Sequence, residues 1–352
     1  MSDVPVPDEL CEADTLNLVS YLLRERTASP LFDLGETLVS PRASVALATH
    51  GIVADVFFAR HASGDWGAAE AFDRKSNAFA VAHGITRFPI DSLYPLPDGT
   101  LLIVRTTPDR MRTGMLLEHE LEEHEVTARE GYARWAHQYD REVNPLIAIE
   151  TPYVEQILAE LPIARALDAA TGTGRHALRL AQRGVQVAAV DQSPEMLAEA
   201  RAAAACLGLT IDFRQGTLDA PLPFEAAQFD LVICALALCH VANLRGAIRE
   251  FARVLRPGGA ALITDFHPYC VGQGWRAALF DVDTALIFTY PGHTRDDYLA
   301  ALADAGLQVT RTVDATMGEA PPGTMLDEER EGGKEIPFCF VALAMKLHDE
   351  WT

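Results

Sequence analysis

The sequence predicts an α/β fold, a Rossmann-like and mostly parallel sheet with helices on both faces, preceded by a small α+β unit. Three observations predict it. From about residue 151 onward, helical and strand-like segments alternate, and strands joined by helical crossovers pack as a parallel sheet. The run Leu167-Asp168-Ala169-Ala170-Thr171-Gly172-Thr173-Gly174 ends a short apolar strand in a glycine turn that feeds a helix. Nearer the N-terminus, Leu96-Pro97-Asp98-Gly99 separates two β-rich runs, a hairpin signal because glycine takes the positive φ that the turn needs.

Residues 1–29 read as an acidic lead followed by a helix over 15–26, whose Leu16, Leu18, Val19, Leu22 and Leu23 make an apolar stripe. Residues 30–121 read as the small α+β domain. Helical patterns cover Ser40 to His50, Ala54 to Ala59 and Ala69 to His83, and strands cover 85–94, 100–106 and 112–117, giving a three-stranded antiparallel sheet. Within it, Arg60-His61-Ala62-Ser63-Gly64-Asp65-Trp66-Gly67 has two readings. His61 and Asp65 can form a metal or catalytic pair. Alternatively, Gly64 and Gly67 make a tight turn, Asp65 caps a helix and Trp66 fills a small core. This unit resembles small stand-alone proteins of unknown function, often met on plasmids, and that resemblance implies no activity.

A charged linker, 118–130, leads into a helix over Gly131–Asp140 with Tyr132, Trp135, Ala136 and Tyr139 on one face. The larger domain, 122–352, then alternates: helix 151–161, strand 165–169, helix 175–183, strand 186–190, helix 194–207, strands 210–214 and 229–234, helix 243–255, strand 260–265, helix 294–305, and strands near 307–314 and 336–346.

The glycine turn places unpaired backbone N–H groups and the positive end of a helix dipole at one tip of the sheet, where a nucleotide-like ligand binds. Asp191, ending the second apolar strand, stands where a carboxylate accepts hydrogen bonds from both ribose hydroxyls. Ala177 holds the third glycine position of the dinucleotide fingerprint, so the turn alone leaves NAD and S-adenosylmethionine both open. Three later blocks bear on the choice: Gly216-Thr217-Leu218-Asp219, then Phe229 through Val241, then Leu255-Arg256-Pro257-Gly258-Gly259 before the strand ending in Asp265.

In this order and spacing, the blocks over roughly residues 129–345 resemble class I S-adenosylmethionine-dependent methyltransferases of the small-molecule type. The resemblance implies a seven-stranded sheet whose last strand is antiparallel, and S-adenosyl-L-methionine as cofactor. It also implies cofactor contacts from Tyr139, Asp168, Ala170, Gly172, Gly174, Asp191, Gln192, Met196, Thr217, Leu218 and Cys234. Tyr132 or Tyr139, on the aromatic helix, would lie over that pocket. His240 and His267, on loops at the same sheet edge, are the candidate catalytic residues. The segment 270–293 reads as an aromatic-lined lid, with Trp275, Tyr290 and His293 as acceptor contacts; its alternative is a β-hairpin packed on the sheet. No metal is expected.

Composition narrows the partners. Of 352 residues, 50 are acidic and 29 basic, a net charge of -21 that repels a phosphate backbone, so nucleic acid is not expected. No stretch approaches the ~18 to 20 apolar residues of a membrane span, the first 14 residues do not read as a signal peptide, and the expected location is cytoplasmic. The six cysteines are scattered without a Cys-x-x-Cys pair, which argues against a disulfide framework or structural zinc. The DNA-methylating Asn/Asp-Pro-Pro-Tyr/Phe motif is absent where Cys234-Ala235-Leu236-Ala237 stands, as are a Gly-x-Ser-x-Gly elbow, His-Glu-x-x-His and a P-loop. The expected partner is a small organic acceptor methylated at oxygen, with nitrogen or carbon open; a homodimer, a macromolecular acceptor and a non-catalytic cofactor-binding regulator also stay open.

Overall fold

The computed structural model describes residues 29–84 and 86–347, which fall into two compact units. The helix expected over 15–26 and Cys11 lie outside the described residues. Of the described residues, the first unit takes in 29–84 and Phe88–Glu122; the second takes in 86–87 and 123–347.

The first unit contains β1 (Glu36–Val39), α1 (Pro41–Thr49), α2 (Ala54–Ala62), α3 (Ala71–His83), β2 (Ile90–Pro95), β3 (Leu101–Thr106) and β4 (Arg112–Leu117). Helix α1 starts at Pro41 because the Ser40 hydroxyl accepts from the Ala43 N–H and proline needs no partner in a first turn. The sheet order is β1-β4-β3-β2, with β1 parallel to β4, so the expected three-stranded antiparallel sheet gains a fourth, parallel strand. Four residues with no buried side chain among them carry too little periodicity to be read from sequence. Ala43, Leu47, Phe57, Tyr94, Leu102 and Met115 form the core against the sheet.

Helix α2 runs past Ala59 to Ala62 and carries His61 into the interior. His61 is fully buried, with Nδ1 2.6 Å from Ser92 Oγ and Nε2 2.8 Å from Thr106 Oγ1. Asp65 pairs with Arg60 and accepts the Gly67 N–H, so it closes the turn instead of capping a helix. Trp66 is buried, and among the described residues no cluster of three or more His, Cys, Asp or Glu side chains could hold a metal.

Burial keeps His61 neutral, pulling its pKa down to about 3. The unfolded chain takes up that proton below about 6.5 and so binds more protons between the two values; the first unit therefore loses stability as pH falls from about 6.5 towards 3. This residue should contribute about 1.4 kcal/mol per pH unit within that window. Urea unfolding at several pH values, wild type against His61→Gln, checks it, and the variant should lose that part of the slope.

The second unit contains β5 (Glu122–Val126, entering from the boundary), α4 (Ala128–Trp135), α5 (Pro145–Glu160), β6 (Arg165–Ala169), α6 (Arg175–Gln182), β7 (Gln186–Asp191), α7 (Pro194–Cys206) and β8 (Asp212–Gln215). It continues with β9 (Phe229–Ala235), α8 (Leu244–Val254), β10 (Leu255–Phe266), α9 (Pro268–Gly272), β11 (Ala278–Phe280), β12 (Thr284–Phe288), α10 (Arg295–Asp304), β13 (Leu307–Thr316), α11 (Asp327–Gly332) and β14 (Pro337–Lys346). Three expectations change. The charged stretch 118–130 is not a bare linker: it holds β5 and the start of α4, where Thr127 and Glu130 form a capping box. Helix α4 ends at Trp135, and a single 3₁₀ turn, Tyr139–Arg141, follows instead of further α-helix. Helix α5 starts at Pro145, capped by Asn144, and tolerates Pro152 inside it.

The main sheet has the order β13-β14-β10-β9-β6-β7-β8. Strands β8, β7, β6, β9 and β10 pair in parallel, and β14 runs antiparallel to both β10 and β13. Apolar clusters fill both faces, one including Leu167, Val232 and Phe251, the other Ile157, Leu180 and Ile233. The hairpin β11–β12 joins β5 in a separate three-stranded sheet. Cys234, Cys239, Cys270 and Cys339 are buried free thiols, and Cys206 is exposed. Among the described residues no single helix is long and apolar enough to cross a membrane; α1 and α2 pass such a test only together, bent by 107°, and both pack into the first unit's core.

Candidate active site

The main sheet begins in its middle. From β6 the chain steps outward through β7 and β8, then returns to β9 on the other side of β6, and such a reversal opens a crevice at the C-terminal ends of the strands. A cavity of about 610 Å³ lies there, lined by the loops after β6, β7, β8 and β9 and by residues of α4 and of the segment after β12.

Two carboxylates brace the glycine turn. Asp168 Oδ2 accepts from Thr171 Oγ1 at 2.7 Å and from the Ala177 N–H at 2.9 Å. Asp191 accepts the Gly172 N–H at 2.8 Å on Oδ2 and the Ser193 N–H at 2.8 Å on Oδ1. Burial pushes both carboxyls above the usual range. Gly172 has φ +56°, and a Cβ there would meet nothing within 4 Å, so the turn leaves open space on the cavity side. Ala170 also has positive φ, and Asp168, Ala170, Gly172, Asp191, Gln192, Met196, Thr217 and Leu218 all line the cavity.

Two residues singled out for the cofactor lie behind this wall. Gly174 has φ +90°, and a Cβ there would stand 3.2 Å from Ala200 Cβ, so this glycine lets α6 approach α7. Cys234 is wholly buried inside β9; Ala235, Leu236 and Ala237, beyond the strand's core, face the cavity instead.

Above the cavity, α4 and the β11–β12–β5 sheet make an aromatic roof. Tyr132, Trp135, Tyr139, Phe288 and Tyr290 cluster there, with Tyr132 5.0 Å from Phe288 and Trp135 5.2 Å from Tyr139 between ring centroids. Gly131 permits this packing, because a Cβ on it would come within 2.3 Å of the Phe288 ring. The segment 270–293 is thus the short helix α9 plus a hairpin, and the hairpin pairs with β5 rather than lying on the main sheet.

The three candidate histidines separate. His240 lines the cavity, its ring 4.6 Å from that of Tyr290, with Nδ1 3.5 Å from the Thr289 carbonyl and Nε2 3.2 Å from the Tyr132 hydroxyl. Burial lowers its pKa to about 4. With Nδ1–H donating to the carbonyl, Nε2 is the acceptor for Tyr132. His267, expected at the cavity mouth, turns away: its Nδ1 accepts the Tyr269 N–H as the N-cap of α9, and its Nε2 donates to Asp314 on β13 at 3.1 Å. His293 donates to the Val241 carbonyl at 2.7 Å and does not line the cavity. Trp275 is 38% exposed and stacks edgewise on Phe338, also off the wall, whereas Tyr290 and Tyr139 line it.

Arg175 and His176, which sequence reasoning passed over, line the cavity as well, together with Thr173, whose hydroxyl donates to Asp140 at 2.9 Å. Behind them Glu150 is wholly buried on α5. An acid among the apolar residues Ile147, Ile149 and Val154 is the signal that could have found it.

Residues 167–263 match a family model described as a methyltransferase domain. The chain is 41% identical over 120 residues to the demethylmenaquinone methyltransferase of Deinococcus radiodurans, covering 33% of this chain and 48% of that protein. It is 42% identical over 95 residues to the ubiquinone biosynthesis O-methyltransferase of Methylocella silvestris, covering 27% of this chain and 37% of that one. The chain thus spans half or less of the length of these relatives. A solved S-adenosylmethionine-dependent methyltransferase from Mesorhizobium loti aligns with TM-score 0.43 and 22% identity, covering 56% of this chain and 98% of the other. The chain carries a methyltransferase domain, and S-adenosylmethionine is the cofactor such a domain uses.

Proposed function

We propose that this protein is an S-adenosylmethionine-dependent methyltransferase that transfers a methyl group to the oxygen of a small organic acceptor by in-line displacement. The observation that carries this reading is the meeting, in one cavity, of the glycine turn braced by Asp168 and Asp191 with the neutral His240 under an aromatic roof.

The residues present fit the cofactor. Gly172 leaves the space that a Cβ would fill, Asp191 can accept from ribose hydroxyls, and Met196, Leu218 and Leu236 offer apolar wall to a purine. When bound, the cofactor supplies an activated methyl group on a sulfonium, and the protein's part is alignment and proton removal. Tyr132, Tyr139 and Tyr290 would hold an uncharged, planar acceptor. An acceptor hydroxyl that takes the place of Tyr132 at His240 Nε2 gives its proton to that nitrogen as the oxygen attacks. Relatives named for quinone methylation accord with a small-molecule acceptor.

Asp191→Ala should weaken binding of S-adenosylhomocysteine by about 10- to 150-fold, the equivalent of one charge-assisted hydrogen bond of roughly 1.5 to 3 kcal/mol. Isothermal titration checks it, and wild-type affinity in the variant would remove Asp191 from the site. The activity itself is tested by incubating the protein with cell extract and methyl-labelled S-adenosylmethionine, then splitting the products by class. Label in small molecules supports the reading. Label in protein or nucleic acid moves the acceptor to a macromolecule, and no label despite S-adenosylhomocysteine binding points to a regulatory binder.

A further inference from the structure

Building on the reading of the cavity as an S-adenosylmethionine site, we propose that Arg175 and His176 recognise the amino-acid end of the cofactor, Arg175 donating to its carboxylate and His176 Nδ1 accepting from its ammonium group. Both side chains are the first of α6 and both line the cavity. Glu150 holds them from behind: its Oε2 lies 2.5 Å from Arg175 Nη1, and its Oε1 lies 3.1 Å from His176 Nε2 and 2.9 Å from Thr264 Oγ1. Both carboxylate oxygens are therefore occupied, and neither side chain can swing without breaking a buried bond.

The tautomer of the imidazole follows from this geometry. Nε2 must carry a proton to donate to a carboxylate, which in the neutral ring leaves Nδ1 as a bare acceptor. That Nδ1 is buried and has no hydrogen-bond partner among the described residues. A buried acceptor left unmet is costly, and its presence in a cavity wall points to a ligand that brings a donor. Arg175 has five N–H donors, of which the bond to Glu150 uses one, so it offers the opposite polarity alongside. One cation and one lone-pair acceptor on adjacent residues match a zwitterionic α-amino acid. A pyrophosphate would satisfy Arg175 but bring no donor for His176, so the same pair also selects against a dinucleotide.

The test compares S-adenosylhomocysteine with 5′-methylthioadenosine, which has the nucleoside and the thioether but lacks the amino-acid group. Titration calorimetry on the full chain should show S-adenosylhomocysteine binding wild type far more tightly. Arg175→Met and His176→Phe should each cut that affinity by about 10- to 100-fold, as expected for lost hydrogen bonds to charged groups, while affinity for methylthioadenosine stays within about threefold. Arg175→Lys should recover part of the loss. Retained methylthioadenosine binding shows that each variant is folded. An equal fall for both ligands, or no fall for either, overturns the proposal; failure of wild type to bind either ligand overturns the cofactor reading beneath it.

Discussion

Replacing His240 with alanine is expected to lower kcat by about 10²- to 10⁴-fold, the usual contribution of a positioned general base. Binding of S-adenosylhomocysteine should stay near the wild-type value, because His240 sits under the roof with Tyr132 and Tyr290 and away from the glycine turn in sequence and bonding. The pH profile makes the prediction specific. A histidine with the ordinary pKa would give kcat/KM an acidic limb near 6.5. Burial holds His240 at about 4, so the base is already deprotonated at pH 5 and the limb should lie near 4. The same shift bears on stability: between about 4 and 6.5 the unfolded chain holds the extra proton, so the contribution of this residue to stability falls as pH drops through that window. A kcat for His240→Ala within threefold of wild type would remove histidine from the chemistry and leave alignment alone.

The second large effect is on stability. Glu150→Leu should destabilise the second unit by up to about 3 to 5 kcal/mol, because it leaves Arg175, whose side chain is only 17% exposed, without its counter-charge. Burial alone would raise the carboxyl of Glu150, but the Arg175 charge and the His176 bond overcome it and hold the group at about 2. Its ionised form is thus stabilised by folding, and that stabilisation is lost as pH falls from about 4.5 towards 2. Urea unfolding measures the loss. The double variant Glu150→Leu with Arg175→Met should recover much of it, since replacing a buried pair by apolar groups is often near neutral. No recovery would mean that Glu150 acts mainly through His176 and Thr264.

The parts of the candidate site built from backbone were the ones whose position on the cavity wall was readable in advance. Asp168, Gly172 and Asp191 stand at strand ends and turns, where spacing along the chain dictates position in space, and the structure sets them together on one wall. His267 shows where that logic stops. It follows β10 directly, as a site residue would, yet Pro268 starts a helix there, and the imidazole serves as its cap and turns to Asp314, 47 residues away in sequence. Trp275 and His293 failed for a related reason: the hairpin pairs with β5, a strand hidden in what read as a charged linker, so the register of the roof depended on an element that composition concealed. Glu150 was missed because a carboxylate on a helix is usually solvated, and only tertiary packing brings Arg175, His176 and Thr264 to it.

The distribution of thiols turns the second unit into a recorder of its own opening. Cys234 is sealed inside β9, Cys239 in the turn that follows it and Cys339 in β14, and burial keeps all three protonated and unreactive. An alkylating reagent can reach them only during excursions that expose them, so their labelling half-lives count those excursions, while exposed Cys206 supplies the unhindered rate for comparison. Cys239 immediately precedes His240, and its backbone N–H is held by Asp265 at 2.7 Å. Its clock therefore runs on the turn that carries the proposed base, and that of Cys339 on the sheet. A ligand that quiets the first clock without slowing the second would be ordering the crevice rather than tightening the whole unit.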